Sequence, residues 1–233
     1  MAGSMILAGV LLKLGGYGMM RVLGFNFTLF KGGLNRYIVG LSLVGILYVG
    51  LVCCRLNDFK ALVAYSSVAH MALVVSGLLR MFCWGWFGAF VIIVAHGLSS
   101  SGLFCLVNIY YERTMRRRFY INKGLLIGFP IFSLIMFFLA AANIAAPPTI
   151  NLVSEIFLMV RILGFDYVIL IVFPLGSFFG AVFTLFIFSY SQHGLMYAFI
   201  YGFNFSNFRE FHILLFHVIP LNILVLNLGV FLI

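Results

Sequence analysis

The stretch Ala2–Gly3–Ser4–Met5–Ile6–Leu7–Ala8–Gly9–Val10–Leu11–Leu12–Lys13–Leu14–Gly15–Gly16–Tyr17–Gly18–Met19–Met20–Arg21 decides how the rest of the chain is read. It is an apolar run of the length a bilayer crossing needs, roughly 20 residues, and it carries one lysine in its middle. With the crossing taken over 3–23, Lys13 has roughly 15 Å of helix on either side, at ~1.5 Å per residue. A lysine stem reaches about 6 Å, so this ammonium cannot snorkel to the headgroups. Placing it at such depth costs roughly 2.5–3.5 kcal/mol, which directs it toward an interior partner or a wet cavity. Loss of hydration brings its charged and neutral forms closer in free energy, so a lysine of this kind can take up and release a proton. A lysine that merely fixes packing would instead sit in a permanent pair. The glycines Gly15, Gly16 and Gly18 allow close helix approach or loosen the helix.

The composition of the whole chain agrees with the run. Of 233 residues, 64% are hydrophobic and 8% charged, and the mean hydropathy is +1.19. A soluble domain carries about 25% charged residues, so this chain cannot cover a water-facing surface. Soluble globular domains, disordered tails and nucleic-acid-binding modules are excluded. The net charge of +9 comes from basic residues at the ends of apolar runs and from one cluster, Arg113, Arg116, Arg117, Arg118 and Lys123, flanked by Tyr110, Tyr111 and Tyr120. That pattern sets topology. Cys53, Cys54, Cys83 and Cys105 lie in or beside apolar runs without a CxxC pair. They read as small buried hydrophobes rather than metal ligands. Met1–Ala2–Gly3–Ser4 enters the first run with no basic leader, so no signal peptide is expected.

The pattern predicts an all-α, polytopic transmembrane helical bundle, a single domain over 1–233 with about seven spans. They are placed at 3–23, 38–54, 61–79, 84–110, 125–164, 167–190 and 212–233. The fifth is interrupted near 145–150 by Pro147–Pro148. Proline blocks helix continuation, and a break at membrane depth is tolerated only inside protein or beside a water-filled cavity. One broken crossing is therefore expected. Loops alternate between faces. Arg55, Lys60, the basic cluster and Arg209 fall on one face, which reads as the inside. Arg21, Lys31, Arg36, Arg80 and Arg161 fall on the other.

Three more ionisable residues lie within the runs. Glu155 follows the double proline, is expected in the first turn of the next half-helix, and is a membrane carboxylate at a broken helix. His70 has Ser66 and Ser67 one turn before it, and His96 has Ser99 and Ser100 one turn after it. Each histidine thus shares a helix face with hydroxyls that can hold water, a pattern fitting a proton relay. Lys60 is a weaker candidate for the same pathway, since it starts a helix and fits an interfacial lysine, with Asp58 placed to cap and pair with it. Glu112, Arg161, Asp166 and Glu210 read as interfacial, and His193, His212 and His217 receive no role. Neither a nucleophile motif nor a phosphate loop is present, and Gly15–Gly16–Tyr17–Gly18 does not follow a strand.

These residues resemble a known family. Ala2–Gly3–Ser4 through Gly18, Asp58–Phe59–Lys60 through His70–Met71, Ala95–His96–Gly97 through Phe104, Tyr111–Glu112–Arg113–Thr114, and Asn143–Ile144–Ala145–Ala146–Pro147–Pro148 with Asn151, Leu152 and Glu155 occur in order. Together they are similar to the chain 4 family of mitochondrial NADH:ubiquinone oxidoreductase, respiratory complex I. The resemblance implies an antiporter-like, proton-translocating membrane-arm subunit of the inner mitochondrial membrane. Lys13 would be the central lysine of the family's second repeat, Glu155 the acidic residue of its broken helix, and His70 and His96 the polar axis between them. Family members have fourteen spans, of which this chain resembles the last seven. A separate polypeptide supplying the N-terminal half is therefore expected, beside the other membrane-arm subunits and membrane lipids, with no nucleic acid. No cofactor is expected in this chain: NADH, FMN, iron–sulfur clusters and ubiquinone would belong to partner subunits. Two alternatives share parts of the pattern, a subunit of a multisubunit cation/proton antiporter and a non-pumping membrane scaffold.

Overall fold

A computed structural model describes residues 2–25, 34–79, 82–163, 169–195 and 207–231. Lys31, Arg80 and Asp166 lie outside these, as does the side chain of Arg161. The described residues are helical and contain no strand beyond an isolated bridge between Asp58 and Arg118. In hydrocarbon every backbone polar group must be paired within the chain, and a helix does this segment by segment. The helices are α1 (Ala2–Ile6), continued by a π turn (Leu7–Leu11) into α2 (Leu12–Phe25), then α3 (Leu34–Cys53), α4 (Phe59–Leu78) and α5 (Cys83–Thr114). A short α6 (Leu125–Gly128) precedes α7 (Pro130–Asn143) and α8 (Ile150–Leu163), followed by α9 (Ile169–Gln192) and α10 (Phe208–Leu226). Among the described residues, six helices are long and apolar enough to cross a membrane: Gly3–Phe25, Asn35–Cys53, Phe59–Leu78, Cys83–Thr114, Ile171–Gln192 and Phe208–Leu226.

The fourth helix is the pillar of the bundle. α5 has 32 residues, most of them buried, and packs against α4, α7, α8 and α10. It continues past 110 and stops where Met115 turns left-handed at φ 52°, its N–H reaching the Tyr111 carbonyl at 2.7 Å. At this end two loops are stitched together. Phe59 N–H donates to Arg117 O at 3.2 Å and Phe119 N–H to Asn57 O at 3.0 Å. The rings of Phe59 and Phe119 pack at 4.1 Å. Asp58 holds the cap position of α4, but its side chain makes no capping hydrogen bond. The last crossing, expected over 212–233, starts earlier, at Phe208, with Glu210 in its first turn, and ends at Leu226.

The region 125–164 is interrupted as expected. α7 and α8 have 14 residues each, roughly 21 Å apiece and too short to span singly. The joint 144–149 contains a left-handed Ala145 (φ 60°) and the cis Pro147–Pro148 bond. Asn151 Nδ2 donates to Ala142 O at 2.6 Å, tying the two halves. Glu155 is the sixth residue of α8, so it lies in the second turn and not in the first. The restart after the prolines is at Ile150, which moves the carboxylate one turn inward.

Small residues set the helix spacing, as packing in lipid requires. A Cβ on Gly88 of α5 would meet the Ser154 carbonyl and the side chains of Phe157 and Leu158 at 3.1 Å each. Gly16 approaches Ile93 closely, whereas Gly15 and Gly18 face open space. Cys53 and Cys105 are buried, but Cys54 and Cys83 are exposed. Gly88→Val is expected to push α8 off α5 and to destabilise the protein by about 1–3 kcal/mol, the usual cost of overpacking. Thermal unfolding of the solubilised protein would measure the loss.

Candidate functional site: a buried lysine–histidine–glutamate line

Lys13 is the second residue of α2 and lies on its inward stripe with Gly16, Met20 and Leu23. It is 7% exposed. Its ammonium donates to the Ala8 carbonyl, within the π turn, and to Ser100 Oγ on α5 at 3.3 Å. A π turn replaces i→i+4 bonds with i→i+5 bonds, widening the helix and shifting its carbonyls, and such turns recur at functional sites. The stem lies against the bare backbone of Gly97, where a Cβ would stand 3.5 Å from Lys13 Cε and from the Gly9 carbonyl. Both partners of the ammonium are neutral oxygens. Among the described residues no carboxylate pairs with it: Glu155 approaches His70 and Glu210 pairs with Arg113.

The two histidines come from neighbouring helices. His70 sits on the buried stripe of α4 with Ser66, Ser67, Leu73, Val74 and Gly77, and His96 on α5 is fully buried. Their rings stack at 4.4 Å between centroids, tilted by 31°. On the far side, Glu155 Oε1 is 3.6 Å from His70 Nδ1. α8 buries Asn151, Ser154, Leu158 and Ile162, the spacing of one helical face, and Glu155 lies at its edge. The fold thus gathers Lys13, Ser100, His96, His70 and Glu155 from α2, α5, α4 and α8 into one line.

Buried nitrogens along this line lack protein partners: His70 Nδ1 and both ring nitrogens of His96 make no hydrogen bond. A cavity of about 40 Å³ adjoins His70, Asn143 and Glu155, closed by α3 and α9 through residues such as Gly50, Gly176 and Gly180. A water needs roughly 10–15 Å³ and polar neighbours, so the cavity has room for about two or three.

The flanking serines behave differently from the expectation. Ser66, Ser67, Ser99 and Ser100 donate to the carbonyls of Val63, Ala64, His96 and Gly97 on their own helices. In an apolar setting the nearest free acceptor for a hydroxyl is its own backbone. Only Ser100 joins the line, by accepting from Lys13. Lys60 is not gathered in. It is half-buried in the first turn of α4, roughly 15 Å of helix from His70. Ring nitrogens of His212 and His217 meet their own helix carbonyls at Phe208 and Ile213.

Several polar contacts had little signal in the sequence. Arg113 pairs with Glu210 of α10 and lies over the rings of Phe129 and Phe132. Glu210, read as interfacial, thereby ties the last crossing to the pillar, while Glu112 accepts from Asn108 at 2.7 Å. Gln192 is buried with Tyr110, Ser191 and Met136. Asn143 and Asn151 flank the double proline, the one local hint of polar groups at that joint.

The transmembrane family described as NADH:quinone oxidoreductase/Mrp antiporter matches residues 1–184. NADH-ubiquinone oxidoreductase chain 4 of Aedes aegypti is 49% identical over 97% of this chain and 50% of its own length. The chain of the same name from Anopheles arabiensis is 51% identical over 80% of this chain and 84% of its own length. The chain spans about half the length of most curated relatives it matches. Two solved structures share the fold. One is respiratory complex I from Thermus thermophilus with bound NADH (TM-score 0.79, 21% identity, 93% of this chain and 48% of that one). The other is the archaeal membrane-bound sulfane sulfur reductase (TM-score 0.86, 20% identity, 95% and 38%). With six helices fit to cross a bilayer and a family match over most of its length, this multi-pass membrane chain belongs to the NADH:quinone oxidoreductase/Mrp antiporter transmembrane family, among the NADH-ubiquinone oxidoreductase chain 4 sequences.

Proposed function

We propose that the chain forms a proton-translocating half-unit of the membrane arm of respiratory complex I, in the inner mitochondrial membrane. Its work is to move protons while partner subunits pass electrons from NADH to ubiquinone. Those partners carry FMN, the iron–sulfur clusters and the quinone site, and this chain contributes residues that hold and pass protons. Its neighbours are other membrane-arm subunits and a polypeptide bearing the first half of the family's spans.

The observation that carries this reading is the line from Lys13 to Glu155, built inside the bundle from groups that each hold or release a proton. Lys13 is held by neutral oxygens, so losing its proton leaves no carboxylate stranded beside it. Ser100 joins it to α5, the stacked rings carry the line from α5 to α4, and Glu155 takes it into the broken helix beside the cavity. A charge placed near Lys13 by a neighbouring subunit would shift where along this line the proton rests. A scaffold needs only fixed pairs, and a permanently paired lysine is what this site lacks.

In the assembled complex, Lys13→Ala and Glu155→Gln are each expected to cut coupled proton flux by about tenfold or more, ~1.4 kcal/mol on the barrier. NADH oxidation by a soluble electron acceptor should continue. Pumping at the normal rate in both variants would refute the assignment. The cavity gives an independent check. A Cβ on Gly180 meets only the Phe183 ring, at 4.0 Å, so Gly180→Leu can fill the space beside His70 and Glu155. Flux is expected to fall by about tenfold in Gly180→Leu and to change little in Gly180→Ala, with assembly followed on native gels.

A further inference from the structure

We propose that Asn143 is a positioning residue for the histidine pair: its main-chain carbonyl orients His70 and its carboxamide orients His96, so one residue at the broken-helix joint governs proton passage between the rings. This rests on the functional reading above and assigns a role to a residue outside the line itself.

Asn143 is the last residue of α7 and is 4% exposed. The neighbouring carbonyls of that turn are taken. Ala140 O accepts from Ile144 N–H, Ala141 O from Ala146 N–H, and Ala142 O from Ala145 N–H and the Asn151 side chain. The Asn143 carbonyl instead lies toward His70, and its side chain lies against His96. The carboxamide oxygen has no protein partner, and neither ring nitrogen of His96 has one. A neutral imidazole offers one donor and one acceptor, and a carboxamide offers both. The unpaired atoms are therefore complementary. Which ring nitrogen the carboxamide meets fixes which nitrogen of His96 is bare and able to take a proton.

Position supports the assignment. Asn143 lines the cavity that also touches His70 and Glu155, while His96 does not. It stands between the second ring and the cavity. It is also two residues from the left-handed Ala145, and Asn151 fastens its neighbour Ala142 to α8. A shift of α8 against α7 would reach both histidines through this residue. From the surrounding elements, the groups facing the pair are Lys13 on α2, Glu155 on α8 and Asn143 on α7. The serines of α4 and α5 donate to their own backbones.

The test uses the assembled complex in membrane vesicles, with proton flux measured against pH and electron transfer to a soluble acceptor measured in parallel. Asn143→Leu keeps the branched shape and removes the polar atoms. It is expected to lower flux by about tenfold, since displacing a reacting group by an ångström costs up to about a hundredfold, and to move the pH at which flux is half-maximal. Asn143→Asp, which keeps the shape and an acceptor, should recover much of the flux with an altered pH profile. Normal flux and pH profile in Asn143→Leu, while Lys13→Ala abolishes pumping, would overturn the proposal and spare the functional reading. Silence in both would overturn the functional reading itself. If Asn143→Leu fails to assemble, Asn143→Ser decides: an unchanged pH profile means a structural role only and overturns the proposal, and a shifted one supports it.

Discussion

A buried ammonium held by two neutral oxygens is the constraint around which the first half of the bundle is arranged. The Ala8 carbonyl is presented by the π turn, and the Ser100 hydroxyl by the pillar helix, whose backbone at Gly97 lies against the lysine stem. Hydrocarbon leaves a lysine no escape toward water at this depth, so each feature of its cradle does a necessary task. The carbonyl and the hydroxyl stabilise the charged form, and neither is a charge that would forbid the neutral one. A carboxylate in their place would hold the proton more firmly.

The second half of the bundle is arranged around a discontinuity. A straight helix through 125–164 would seal its carbonyls in its own ladder and present only side chains to the histidines. The break at Pro147–Pro148 ends α7 at Asn143 and restarts α8 at Ile150. It brings a helix end, two asparagines and a carboxylate to the same depth. The exposed backbone is paired through turns and through the Asn151 amide, and near the joint the side-chain atoms without protein partners are on the imidazoles and on the oxygens of Asn143 and Asn151.

Much of this was legible in the sequence, for physical reasons that differ from residue to residue. Lys13 stood out because it is the charge in the middle of its run, with Arg21 near the end. His70, His96 and Glu155 stood out as ionisable residues within apolar runs, and the fold class followed from the scarcity of charge. The depth of Glu155 was misjudged by a turn because a proline pair says where a helix stops and not where the next begins. Helical spacing placed the serines on the histidine faces, but spacing cannot say where a hydroxyl proton points, and an adjacent carbonyl won. Arg113 and Glu210 are separated by 97 positions, so their pairing depends on how the last crossing folds back. Asn143 was visible only as a polar residue beside prolines, because its importance comes from three other helices meeting there.

The pair of backbone bonds joining 57–59 to 117–119 has a consequence for how the bundle can move. It pins the start of one histidine-bearing helix to the chain leaving the other, like the rivet of a pair of shears. With that end fixed, the two imidazoles share a common elevation, and sliding of one blade past the other is suppressed. On the proposed function, a working stroke would fall to the unriveted members, the lysine helix on one side and the interrupted crossing on the other, with the aromatic couple between them.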